Sequence, residues 1–216
     1  MTKAKVKEST ALTSVQERIQ ARLAKINDTT AAATGQNISV KGSIFKLPNG
    51  QTSPGPLNCI ILDYCNKNLY YSKPYQEGEF EGPDCYAVGR EIKLMAPTID
   101  NPVNATCFGC PKNEFGSKGR SKACSNNVIL AILPEDFTSD SDVFTIKASA
   151  TAIKAWTNYV RELSGMGVDP IQVVTSLTFE AGLSYPSLRF KQIGGNNKLE
   201  EVNPFLERAE GLLNAG

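Results

Sequence analysis

Four of the six cysteines fall in one stretch, spaced C-x21-C-x2-C-x13-C at Cys85, Cys107, Cys110 and Cys124. No other feature limits the fold as much. A Cys-x2-Cys turn aims two thiolates at one point, and two more cysteines complete a tetrahedron, the set a structural zinc ion needs. The expected ligands of one structural Zn2+ are therefore Cys85, Cys107, Cys110 and Cys124. Cys85 lies far from the others in sequence, and Cys65 is the alternative fourth ligand. Cys59 and Cys65 otherwise read as small buried apolar residues. Four thiolates close the coordination shell, so this zinc has no open position for catalysis.

Between the ligands lie Lys112, Lys118, Arg120 and Lys122, with Phe108 and Phe115 among them. Cations interleaved with aromatics on a pinned loop suit a nucleic-acid strand. The alternative is a solvated cover over the metal. The net charge is +1, so a field that attracts polyanions has to be local.

The chain contains no histidine. That removes a histidine general base, Ser-His and Cys-His nucleophile pairs, and imidazole ligands. GxxxxGK[ST], GxGxxG and GxSxG are also missing from the sequence. Asp63, Asp84 and Glu91 could be imagined as carboxylate catalysts, but nothing in the sequence fixes their geometry. The expectation is a protein that is not an enzyme. No apolar run reaches transmembrane length. The lysine-rich start has no apolar segment after it, unlike a secretory signal. A cytoplasmic protein without membrane contact is expected, and in a reducing compartment grouped cysteines favour metal over disulfides.

Read in order, residues 1–36 form a polar arm and a short helix. Ser14-Val-Gln-Glu17 fits a capping box, and Val15, Ile19, Leu23 and Ile26 form its apolar stripe. From Ile38 the period becomes two, with a turn at Pro48-Asn49-Gly50. Leu57 to Tyr64 reads as an apolar strand, Asn66-Lys67-Asn68 as a turn, and Leu69-Tyr70-Tyr71 as the next strand. Tyr64, Tyr70, Tyr71 and Tyr75 are candidate stacking platforms, although strands favour tyrosine anyway. Residues 76–127 carry no clear period, which in a compact domain calls for something like a metal to tie them down. Strands are expected over Val128 to Leu133, Val143 to Lys147, Ile171 to Phe179 and Leu188 to Ile193. A helix capped by Thr151 puts Ile153, Trp156, Val160 and Leu163 on one face, with Trp156 a core anchor. Asn203-Pro204 opens a last helix, with its stripe at Phe205, Ala209, Leu212 and Leu213.

This order predicts a mainly β fold with some α. It is an OB-fold-like five-stranded barrel over residues 37–195, with a helix between its third and fourth strands. The zinc insertion, about residues 76–127, then lies between strands two and three. Residues 196–216 add a C-terminal helix. Such barrels bind oligonucleotides around strands two and three, which puts Tyr64, Tyr70, Tyr71 and the insertion around one groove.

The chain resembles bacteriophage zinc-containing single-stranded DNA-binding proteins of the OB type. The matching features are Phe45-Lys-Leu-Pro-Asn-Gly50, Tyr70-Tyr71, Pro83-Asp-Cys85, Cys107-x2-Cys-Pro-x-Asn-x-Phe-Gly-Ser117, Gly119-Arg-Ser-Lys-Ala-Cys124 and Lys154-Ala-Trp156. The cysteine segment is the most specific of these. The resemblance implies single-stranded DNA as partner, in phage replication or recombination within a host cytoplasm. Many bacterial single-strand binders end in a disordered acidic tail. This chain instead ends in an expected helix, which weighs against recruiting replication proteins through such a tail. The competing reading is a zinc-stabilised structural or protein-interaction module whose terminal helices mediate assembly, including homo-oligomers.

Overall fold

The computed structural model describes residues 36–74 and 82–214. The expected N-terminal helix and Tyr75 lie outside the described residues. The chain divides after Asn37, and Ile38–Gly216 forms one unit. It is mainly β, with a few helices on a curled open sheet. Its strands are β1 (Asn37–Lys41), β2 (Ile44–Lys46), β3 (Thr52–Ser53), β4 (Leu57–Tyr70), β5 (Cys85–Gly89), β6 (Cys124–Pro134), β7 (Phe144–Ala148), β8 (Val173–Phe179) and β9 (Leu188–Gly195). Helix α1 covers Ile153–Gly165 and α2 covers Asn203–Asn214. The sheet order is β3-β2-β1-β7-β6-β4-β8-β9, with β5 also paired to β4.

The long strand β4 is the spine. Its first residues pair with β8, and nearly its whole length pairs with β6. The expected turn at Asn66-Lys67-Asn68 is not there. That stretch continues β4, because β5 lies on one side of it and β6 on the other. Asn66 opposes Gly89 and Val128, and Asn68 opposes Ala87 and Asn126. Ladder partners on both sides outweigh the local turn preference of asparagine. The irregular region is also partly ordered by its own sheet pairing through β5.

The run Val128 to Leu133 is apolar without alternation because both faces of β6 are covered. Val128, Leu130 and Ile132 join Cys59, Ile61, Trp156, Tyr159 and Leu177 on one face. Ala131 and Leu133 join Ile60, Leu62, Cys65, Phe205, Ala209 and Leu213 on the other. Helix α1 thus covers one face and α2 the opposite one. Cys59 and Cys65 are buried, one in each core, as read from the sequence. Burial raises the pKa of both thiols. The Cys65 sulfur lies 3.7 Å from the Leu213 carbonyl in the α2 core, apart from the other four cysteines.

Of the stripe read for α1, Trp156 and Leu163 are buried and Ile153 and Val160 half-buried; Tyr159, outside that stripe, is buried as well, and Trp156 anchors the face. The indole meets Tyr64 edge-on at 5.1 Å and Phe190 at 5.3 Å. Thr151 does not cap the helix. Ala152 stands at the N-cap without a side-chain bond, and the Thr151 hydroxyl faces Ser149 and the Pro186 carbonyl instead. The last helix starts at Asn203 as expected, after a 3-10 turn over Leu199–Val202. Gly55 adopts φ +92°, and a Cβ there would sit 3.1 Å from the Phe45 ring. Gly55→Ala is therefore expected to destabilise the fold by roughly 1–3 kcal/mol, read as a lower midpoint of chemical denaturation.

Candidate metal centre and nucleic-acid interface

Apart from β5, the described residues of the insertion between β4 and β6 are mainly turns with a very small core of their own. Cys107 donates its backbone N–H to the Met95 carbonyl at 2.9 Å, and Ala87, Met95 and Cys107 form a three-residue cluster. The Cys107-Phe-Gly-Cys110 turn passes through Gly109 at φ +73°, a conformation glycine takes without strain. Pro111–Asn113 then forms a single 3-10 turn. A tight hairpin closes at Lys118 and Ser121, where each N–H donates to the other's carbonyl. The Ser117 hydroxyl fastens its base, donating to the Lys112 and Glu114 carbonyls and accepting from the Ala123 N–H.

Cys85, Cys107, Cys110 and Cys124 all line one cavity of about 20 Å³, with Asn68, Tyr70, Ala87 and Lys112. Cys107 and Cys110 are buried, and Cys85 and Cys124 half-buried. All four thiols are free. Burial, then the nearby Cys107, Cys110 and Cys85, push the Cys124 thiol up to about 11. Burial likewise raises Cys107, opposed by the Asn68 amide, which favours its thiolate.

The donor chemistry suits zinc, and the volume is that of a single small ion or water. Among the described residues, however, no three Cys, Asp or Glu side chains stand as a ready-made metal-holding group. The sheet register gives a physical reason. Cys85 and Cys124 both oppose Tyr70, one on each side of β4. Two strand spacings separate them, roughly 10 Å. Sulfurs sharing one zinc are roughly 4 Å apart, from a zinc–sulfur bond of about 2.3 Å. Backbones that far apart bring two sulfurs to one ion only with both side chains directed at the cavity between them.

Beside this cavity runs a groove of about 730 Å³. Its walls are the insertion hairpin, the first residues of β6 and the start of α1. Phe115, Lys118, Lys122 and Lys154 line it, with a row of amides that includes Asn68 and Asn126. Phe115 is 79% exposed, and the Lys122 ammonium stands 5.1 Å from its ring centroid. Lys112 is turned the other way, 5.5 Å over the Tyr70 ring.

The residues read as nucleic-acid contacts therefore divide. Phe115, Lys118 and Lys122 share the groove. Tyr70 and Lys112 line the cysteine cavity instead. Tyr64 is half-buried against the α1 core, its ring met by Trp156. Tyr71, Phe108 and Arg120 are exposed but do not line the groove. Lys154 and the asparagine row were not among the residues read from the sequence as nucleic-acid contacts. Asparagine in a strand reads as a turn signal, and only the tertiary pairing gathers these amides along one wall.

No family model matches this chain, and no curated protein or solved structure is detectably similar to it. The resemblance to the phage proteins therefore rests on the motifs of the sequence. Among the described residues, no helix is long and apolar enough to cross a membrane.

Proposed function

We propose that this protein binds single-stranded DNA in phage replication or recombination and catalyses no reaction. The observation that carries the reading is the groove beside the cysteine cavity. It offers an exposed ring, Phe115, with Lys122 over it, Lys118 on the same hairpin and Lys154 at the start of α1. An aromatic face accepts any base, and ammonium groups hold phosphates. Zinc held by Cys85, Cys107, Cys110 and Cys124 would supply no chemistry beyond fixing the loop that carries Phe115.

The sheet path supports an OB-like reading with a changed count. Strands β4, β6, β7, β8 and β9 supply five strands in the order β7-β6-β4-β8-β9, and α1 lies between the third and fourth in sequence. On this count the β1–β3 segment is an addition, and the insertion joins the first and second strands rather than the second and third. A ligand groove beside that connection agrees with where such barrels bind strands.

The test is a gel shift with oligo-dT and with duplex DNA of the same length at two salt concentrations. Preference for the single strand is expected, with a shallow salt dependence because few cations line the groove. Tighter binding to duplex overturns the reading. Phe115→Ala is expected to cost about 1–3 kcal/mol of oligo-dT affinity, the usual size of a lost base stack, with no change in melting temperature. Tyr70→Ala, by contrast, is expected to lower the melting temperature, because that ring covers the cysteine cavity. Parental oligo-dT affinity in the Phe115 variant removes that ring from the interface.

A further inference from the structure

Asn68 is polar yet only 4% exposed, and it lies in the wall shared by the cysteine cavity and the groove. Its Oδ1 accepts from the Asn126 amide at 2.6 Å. The same Asn126 amide donates to Asn113 Oδ1 at 2.9 Å, and Asn113 in turn donates to the Cys107 carbonyl at 3.0 Å. The Lys122 ammonium donates to Asn113 Oδ1 at 3.4 Å and stands over Phe115. A continuous polar chain thus runs from Asn68 to the groove's cation and ring. Its other end is weakly held: Asn68 Nδ2 is buried and makes no fully formed hydrogen bond, and the Cys107 thiol beside it is a poor acceptor while neutral.

A buried amide donor without a good acceptor is costly and calls for an explanation. Cys107 lines the same cavity as this donor. A neutral thiol is a weak acceptor, whereas a metal-bound thiolate is a good one, and metal ligands commonly take such outer hydrogen bonds.

We propose that Asn68 is a positioning residue that couples metal occupancy to the groove, donating to the metal-bound Cys107 sulfur on one side and holding Asn126 on the other. The proposal rests on the metal and strand sites proposed above. With zinc present the donor is satisfied and Asn68 is held in one rotamer. Asn126, Asn113 and Lys122 are then held in turn, and Phe115 is presented to the strand. With zinc absent the chain loses its anchor, and the strand site loosens with it.

The experiment compares the full-length parent with Asn68→Leu, which loses donor and acceptor, and Asn68→Asp, which keeps only the acceptor. Zinc affinity is measured by chelator competition. The thiolate-to-cobalt absorption is recorded on the cobalt-substituted proteins. Oligo-dT affinity is measured for zinc-saturated and zinc-stripped protein. The parent is expected to lose about tenfold or more in oligo-dT affinity on stripping. Both variants are expected to bind zinc roughly 10–100-fold more weakly, with a shifted cobalt band. In Asn68→Leu the loaded-to-stripped affinity ratio should fall toward one. Should the Asn68 variants fail to fold, Asn113→Ala breaks the same chain without touching β4 or the Asn68 donor: its zinc affinity and cobalt band should stay near parental while its loaded-to-stripped affinity ratio falls toward one, and a parental ratio overturns the coupling. Parental zinc affinity, cobalt band and affinity ratio in the Asn68 variants overturn the coupling alone. A parent that holds no zinc or binds no oligo-dT overturns the underlying site readings as well, and the parent measurement by itself tells the two failures apart.

Discussion

Cys107→Ser and Cys110→Ser are each expected to abolish zinc retention and to open the insertion to proteases, while the sheet stays folded. Both positions belong to the Cys-x2-Cys turn, and both side chains face one small cavity. A serine hydroxyl does not replace a thiolate as a zinc ligand, so one substitution leaves an incomplete set. The insertion has little else to hold it. Beyond the β5 ladder on β4, its apolar cluster is Ala87, Met95 and Cys107, and most of its other backbone bonds among the described residues are single turns. Structural zinc contributes on the order of 10–16 kcal/mol in small zinc modules, far more than such a cluster. No buried member of the two cores on the faces of β4 and β6 comes from the insertion, and only the half-buried Val88 of β5 packs against one of them, so far-ultraviolet circular dichroism should keep most of its strand signal.

Elemental analysis and limited proteolysis between residues 100 and 123 check this. Zinc at the parental level in Cys107→Ser, Cys110→Ser and Cys124→Ser would end the metal reading. Cys85→Ser against Cys65→Ser decides the fourth ligand. Cys65 lines the other core, so its substitution should leave zinc in place. The raised thiol pKa values at Cys107 and Cys124 add a pH dependence. Zinc takes thiolates, so uptake releases protons, and affinity should fall as the pH is lowered.

Trp156→Ala is expected to lower stability by about 3–5 kcal/mol, the usual loss for a large aromatic removed from a core. The indole is 4% exposed and touches Tyr64 on β4, Tyr159 on its own helix and Phe190 on β9. It therefore joins the helix to the spine strand and to the far edge of the sheet. Tyr159 on the same helix is tied to Thr175 by a 2.6 Å hydrogen bond, which limits how far α1 can shift to fill the space left. Trp156→Phe should recover much of the loss. Chemical denaturation measures both, and a loss under about 1 kcal/mol in Trp156→Ala would show that α1 docks without its anchor.

The period of the apolar residues was enough to mark most of the ladder. The run at Val128, the stripe of α1 and the asparagine-proline start of α2 could each be read locally, because each depends on side chains only a few residues apart. The cysteine spacing points to one metal site, and the four cysteines do line one cavity. Asn66-Lys67-Asn68 could not be read that way. As a tripeptide it prefers a turn, and it becomes strand only because β5 and β6, the latter more than 50 residues further on, pair with it from both sides. Nor could the sequence say which rings face outward. Tyr64, Tyr70 and Tyr71 are close neighbours in the chain, yet one packs on Trp156, one covers the cysteines and one is exposed. Side-chain direction in a strand alternates from a register that long-range pairing sets, and a bulge between Ile61 and Asp63 shifts it once more. By itself the sequence determined the grouping of the cysteines, the cations and most of the elements. The tertiary structure decided which of them share a wall, because that choice belongs to register and not to residue type.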